Sequence, residues 1–205
     1  FITHSHADHI RDLPHLIQNR FSQNAPPLIV FAARDVMDVL TRNVFNGLVW
    51  PDFAQFIAPL TGKKVVEYRS VTPGKKVIFN DIVLTAVPVH HQIPAAGVIL
   101  ELGGQAITFT GDTAPTEEIW KRTNKTANVV AVVTEASFPN DQQSLADDSA
   151  HLTPQTFGDE LKKITVDAPV YASHRKVPFE RDIESQIRNL RDRRARVLLE
   201  KNYTL

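Results

Sequence analysis

Cysteine is absent from the 205-residue chain. That excludes disulfides, thiolate metal ligands and thiol nucleophiles, and it leaves the redox compartment undetermined. A charge excess is also absent: Lys+Arg and Asp+Glu both number 23. No global field therefore draws the protein to nucleic acid or to an anionic membrane. The one basic cluster, Arg188 to Arg196, needs no partner as a solvated helix end. No apolar run is long enough to span a bilayer. There is no internal repeat, low-complexity tract or linker. An initiator methionine is missing, and Phe1-Ile2-Thr3 reads as the end of a buried strand. A strand needs neighbours, so we expect further N-terminal strands, roughly a quarter of a domain of ordinary size, to lie outside this sequence. What remains is ordinary globular material, 42% hydrophobic and 22% charged. It is enough for a single domain, residues 1–205, with a sizeable core.

The densest chemistry follows that first strand. His4-Ser5-His6-Ala7-Asp8-His9 has the pattern H-x-H-x-D-H. Neutral imidazole and carboxylate are ligands for zinc and similar divalent ions. If the chain turns sharply after the strand, His4 and His6 reach one side of a cavity. Asp8 and His9, opening the next helix, reach a second point a few ångströms away. One loop can then serve two adjacent metals. A lone H-x-H would be read as a polar loop capping a helix, with Asp8 as N-cap. The full pattern at a strand-to-helix junction is far more specific.

Along the chain, Ile10, Leu13, Leu16, Ile17 and Phe21 predict a helix with one buried face. His15 falls off that stripe. Leu28 to Phe31 predicts a short strand and Asp35 to Phe45 a second amphipathic helix. The stretch 45–53, rich in aromatics, Asn, Gly and Pro, predicts an irregular excursion, either a satellite apolar cluster or a wall beside a site. Strands follow at Val65 to Tyr68, Lys76 to Phe79 and Ile82 to Val89. A hairpin turns about Gly103-Gly104, and Val129 to Thr134 is a β-branched run suited to a strand buried on both faces. Helices are predicted near Thr116, from Thr153-Pro154 and from Phe179, with strands at Val170 to Ala172 and Val197 to Leu199. Two successive sets of strands mixed with helices fit two sheets between helical layers, an α/β (α+β) architecture.

Three further places offer ligands. His90-His91 follows a strand, and alternation would send the two to opposite faces, so at most one enters a site; periodicity does not choose between them. In Thr110-Gly111-Asp112-Thr113 a strand ends, Gly lets the backbone approach closely and Asp112 projects, with two oxygens able to bridge two cations. His174 follows a short strand. His151, in Ser149-Ala150-His151-Leu152-Thr153-Pro154, sits just before a helix, where it can face a substrate oxygen or serve as a structural contact.

The H-x-H-x-D-H loop resembles the signature of the metallo-β-lactamase-fold hydrolases. Gly111-Asp112-Thr113-Ala114-Pro115-Thr116 with Trp120, Glu135-Ala136-Ser137-Phe138-Pro139-Asn140, and His151-Leu152-Thr153-Pro154 narrow it. Together these resemble the class II cyclic-nucleotide phosphodiesterases, as do Asn19-Arg20-Phe21 and Trp50-Pro51-Asp52-Phe53. Two positions depart from that pattern. The residue before the second ligand is His90, and Ser173-His174-Arg175-Lys176-Val177-Pro178 carries one more position than the usual T-H-x-K-P.

The resemblance implies an αββα four-layer sandwich and a binuclear centre. His91, followed by Gln92-Ile93-Pro94, becomes the ligand in preference to His90. One metal would be held by Asp8, His9, Asp112 and His174, and the other by His4, His6, His91 and Asp112. Zinc is the expected metal, with manganese or iron as alternatives. The implied reaction is hydrolysis of cyclic AMP or cyclic GMP to the 5′-monophosphate by a hydroxide that the two metals activate. Asp8 would orient the nucleophile as well as bind metal, and His151 would bind a phosphoryl oxygen or protonate the leaving alkoxide. Ribonuclease Z has a similar layout, and a ribonuclease Z-like or other metallo-β-lactamase-fold phosphodiesterase is the alternative, as is an inactive metal-binding fragment. The expected partner is a small cyclic nucleotide, with neither membrane nor nucleic acid; a homodimer is compatible. The expected compartment is the cytoplasm, with a secretory signal left open by the missing N-terminus.

Overall fold

The computed structural model describes residues 1–23, 25–199 and 203, and the chain divides into two compact units, residues 1–72 and 73–205.

The first unit begins with Ile2 in a single parallel bridge to Ala32, so the strand expected at the start is reduced to one pair. Helix α1 (Ala7–Ile10) and helix α2 (Leu13–Ser22) replace the one helix predicted there. The break has a cause. Pro14 lacks an N–H, and its ring clashes with the carbonyl four residues back, so it is tolerated only in a first turn. Leu13 and Ile17 are buried, whereas Leu16 is 47% exposed and lies outside the stripe assigned to it. Strand β1 (Leu28–Ala33) is followed by α3 (Arg34–Val39), which widens into a π-turn over Leu40–Val44. Strand β2 (Val66–Val71) pairs with β1 in parallel. The excursion between them buries Phe45 and Phe53 in the unit's core while Leu48 is 91% exposed.

The second unit is a seven-stranded sheet in sequential order. Its strands are β3 (Lys76–Phe79), β4 (Ile82–Pro88), β5 (Ala96–Leu102), β6 (Gln105–Phe109), β7 (Val129–Glu135), β8 (Val170–Ser173) and β9 (Ala195–Val197). Among them lie α4 (Glu118–Thr123), α5 (Gln143–Ser149), α6 (Pro154–Leu161) and α7 (Glu180–Arg188). An eight-residue helix such as α6 does not persist alone, since isolated helices need about 12–15 residues. It is held by a capping box on Thr153 and by Phe157 and Leu161, which join Val132, Val170, Trp120, Ile183 and Ile187 in the core. Buried Glu160 accepts from the Trp120 indole and the Thr116 amide and pairs with Lys163, tying α6 to α4. Among the described residues no helix is long and apolar enough to cross a membrane.

Strand direction gives the second unit one functional edge. β4 and β6 are both antiparallel to β5, and β6, β7 and β8 run parallel. The C-terminal ends of β4, β6, β7 and β8 therefore share that edge, where α/β sheets place their ligands. Gly97 in β5 lets this sheet close up. A Cβ there would lie 2.6 Å from the Phe109 carbonyl oxygen and 2.5 Å from Ile119 Cδ1. Replacing Gly97 by alanine should cost about 1–3 kcal/mol through overpacking against fixed backbone. Thermal unfolding checks this; an unchanged midpoint would show that the strands separate freely.

Candidate active site

The first unit gathers three imidazoles. The His4 ring lies 4.8 Å from that of His6 and 4.1 Å from that of His9. His4 is fully buried, and Thr3 Oγ1 lies 3.1 Å from its Nδ1. Asp8 and His9 sit on α1, with Asp8 Oδ2 3.8 Å from His9 Nε2. The N-cap of α1 is His6, not Asp8, and its side chain makes no capping bond. The side chains at these positions are thus left to other work than capping.

The second unit assembles its site on the common strand edge. After β6, Gly111 adopts a left-handed φ of 66°, and Asp112 beyond it is 2% exposed. Its Oδ1 is 3.3 Å from His174 Nδ1 and its Oδ2 is 3.9 Å from His151 Nδ1. His174 follows β8 with a φ of 53°. A residue with a Cβ bears roughly 1–3 kcal/mol of strain to hold such a sparsely populated backbone, and such strain clusters at functional sites.

His90 and His91 do not alternate across a strand, because β4 ends at Pro88 and the pair lies in the following loop. What separates them is their bonding. The His90 backbone is tied to Thr113 and Ala114. The His91 ring instead places Nδ1 3.0 Å from the Ala150 carbonyl oxygen. A carbonyl only accepts, so Nδ1 carries the proton and Nε2 is left with a lone pair, the arrangement that orients metal-binding histidines. Ala150 is held at a φ of 55° as it delivers that carbonyl. We predict that His91→Ala lowers metal content while His90→Ala retains it. Elemental analysis of the two variants checks this, and the reverse result would shift the assignment by one residue.

Donor atoms sharing one ion, each about 2.0–2.2 Å from it, lie within about 4 Å of each other. Ligand atoms of His91, Asp112 and His151 all fall within 4.8 Å of one another, and so do those of Glu135, His151 and His174. Glu135 and His151 are bonded to each other, which leaves the imidazoles of His91 and His174 and the Asp112 carboxylate as a nitrogen and oxygen donor set that fits zinc, manganese or iron.

In the sequence Glu135 stands only as one member of a block of residues; in the fold it is the hub of this unit. Fully buried at the end of β7, its Oε1 accepts from the Thr113 amide at 2.7 Å and from His151 Nδ1 at 2.8 Å. Its Oε2 accepts from the Leu152 amide at 3.1 Å and from the Ser137 hydroxyl. His151, 7% exposed, is thereby locked with Nδ1 on a carboxylate and Nε2 turned to the other side of the ring. The available signal was an acidic residue closing a β-branched run, where a solvated end would be ordinary and burial demands partners.

The beta-lactamase superfamily domain family matches residues 1–174, and the chain belongs to this family, that of the metallo-β-lactamase hydrolases. It is similar to a probable 3′,5′-cyclic-nucleotide phosphodiesterase of Yersinia pestis, 27% identical over 207 residues, covering 88% of this chain and 57% of that protein. It is also similar to a ribonuclease Z of Bacillus licheniformis, 26% identical over 195 residues, covering 76% and 62%. The chain thus spans less than two thirds of these curated relatives. Among solved structures, unliganded yeast PDE1 shares the fold with a TM-score of 0.76 at 21% identity, over 94% of this chain and 62% of that one. The fold class is the metallo-β-lactamase fold, which generally binds divalent metals.

Proposed function

We propose that this chain is a metal-dependent phosphodiesterase acting on 3′,5′-cyclic nucleotides, with His4, His6, Asp8, His9, His91, Asp112 and His174 as the ligands of two divalent ions. The observation that carries the reading is the Glu135–His151 pair, a buried carboxylate holding an imidazole by Nδ1 beside Asp112. Similarity to the Yersinia pestis protein supports the substrate class. When bound, two such ions would supply Lewis acidity at the phosphoryl oxygens and lower the pKa of water. The chain's own residues do the rest. Asp112 would be a carboxylate ligand for the metal, and Asp8 would orient the attacking water. His151 donates a proton from Nε2 to the leaving 3′ oxygen, and Glu135 orients the ring through Nδ1. The 5′-monophosphate is the product.

A ribonuclease Z-like activity is the second reading, favoured by the Bacillus licheniformis relative. The balanced charge weighs against it, because RNA affinity draws on the phosphate backbone. Measuring kcat/KM for cyclic AMP and for a precursor tRNA on the zinc-loaded protein tests the choice. The proposal requires cyclic AMP to be turned over and the RNA to be left intact; cleavage of the RNA alone would overturn it.

A further inference from the structure

The Ser137 hydroxyl lies where three functional side chains converge. It donates to Glu135 Oε2, stands 2.9 Å from His174 Nδ1 and 3.3 Å from His151 Nδ1, and its residue is fully buried. We infer that Ser137 is a positioning residue that fixes the ring of His174 and ties it to Glu135, an inference that rests on the proposed role of His174 as a metal ligand.

Hydrogen-bond accounting gives the direction. A serine hydroxyl has one proton to donate and lone pairs to accept with. Its proton is committed to the Glu135 carboxylate, so towards His174 it is an acceptor, and Nδ1 must be the donor. His174 Nδ1 has a second neighbour, Asp112 Oδ1 at 3.3 Å. The shorter contact lies at the ordinary N–H···O distance and the longer beyond it, so the hydroxyl is the better acceptor. His174 is left with a lone pair on Nε2, as His91 is through the Ala150 carbonyl. The two histidines reach the same state by different means, one through a main-chain carbonyl and the other through a side chain.

The arrangement also joins two tasks. Glu135 holds His151 directly by Oε1, and through Ser137 on Oε2 it holds His174. Ser137 itself is pinned at both its main-chain groups, its amide donating to the Leu152 carbonyl at 2.9 Å and its carbonyl accepting from the Lys176 amide at 3.2 Å. These bonds bring the segments that carry His151 and His174 to one hydroxyl. The left-handed backbone at His174 aims the ring there, which gives the strain at that residue a purpose.

Outer-shell partners of ligating histidines typically contribute 10–100-fold in metal affinity. Ser137→Ala should therefore weaken retention of one of two zinc ions by about 10–100-fold in a chelator competition, while Ser137→Thr, which keeps the hydroxyl, should stay within a few-fold of wild type. Independently, the ion-free wild-type protein should show the His174 ring protonated on Nδ1 in nitrogen-15 histidine spectra, assigned by comparison with His174→Ala. Unaltered zinc retention in Ser137→Ala overturns the inference. So does a Thr variant as weak as the Ala variant, when both are folded by circular dichroism, or a proton on Nε2 of His174. Should a Ser137 variant fail to fold, the wild-type spectrum decides alone. Neither readout uses a substrate, so a failure of cyclic-nucleotide turnover would sink the proposed function and leave this result standing.

Discussion

Replacing His151 by alanine should lower turnover of cyclic AMP by about 10²–10⁴-fold, the usual worth of general acid catalysis, while metal content stays near wild type. The leaving group of a cyclic nucleotide is a sugar alkoxide, strongly basic and in need of a proton. The Glu135 carboxylate 2.8 Å from His151 Nδ1 holds the ring in place. Glu135→Gln should therefore reproduce much of the loss, because an amide cannot accept on both of its terminal atoms as the carboxylate does. The loss should shrink with a p-nitrophenyl phosphodiester, whose leaving group departs without a proton. Equal losses on both substrates would make His151 a phosphate-binding group. Full activity on both would return it to a structural role and weaken the phosphodiesterase reading with it.

Asp112→Asn should have a larger effect still. The substitution keeps the shape of a buried side chain, so the fold should survive, but it removes the charge. A neutral amide is a poor ligand, and this is the one residue proposed to serve both ions. Both should be lost on dialysis against a mild chelator. Lewis acid stabilisation of several kcal/mol goes with them, which corresponds to a fall on the order of 10³-fold or more in turnover. Loss of a single ion, with the other retained, would show that Asp112 does not bridge.

The path from sequence to site was uneven, for physical reasons. Hairpins and strands were legible because turn chemistry and β-branched runs are local; the turn at Gly103-Gly104 joins β5 to β6 as predicted. The helix from Pro154 was legible because Thr153 and Pro154 form a capping signal within one turn. The break at Pro14, the π-turn after α3 and helix α5 were not. The first is a single-residue backbone effect hidden by an apolar period that also takes in the exposed Leu16. The π-turn lies inside a segment whose apolar period reads as helical, and that period does not tell a π-turn from an α-turn, while α5 buries only Ala146. Candidate ligands stood out as residue types in a recognisable pattern. The bonds that orient them did not, because His91 meets Ala150, Thr113 meets Glu135 and Ser137 meets His174 across long stretches of chain that leave no periodic trace. His90 and His91 illustrate the cost. Strand alternation would have separated them, yet the strand has already ended, and a carbonyl acceptor distinguishes the two.

The proposed activity is metal-dependent hydrolysis of 3′,5′-cyclic phosphates with cleavage of the bond between phosphorus and the 3′ oxygen. Phosphorus-31 NMR of cyclic AMP incubated with the full chain, loaded with zinc or manganese, tests it most directly. The account predicts conversion to the 5′-monophosphate, abolished by chelation and restored by adding metal. The 3′-monophosphate as product, or hydrolysis that continues without metal, would contradict it.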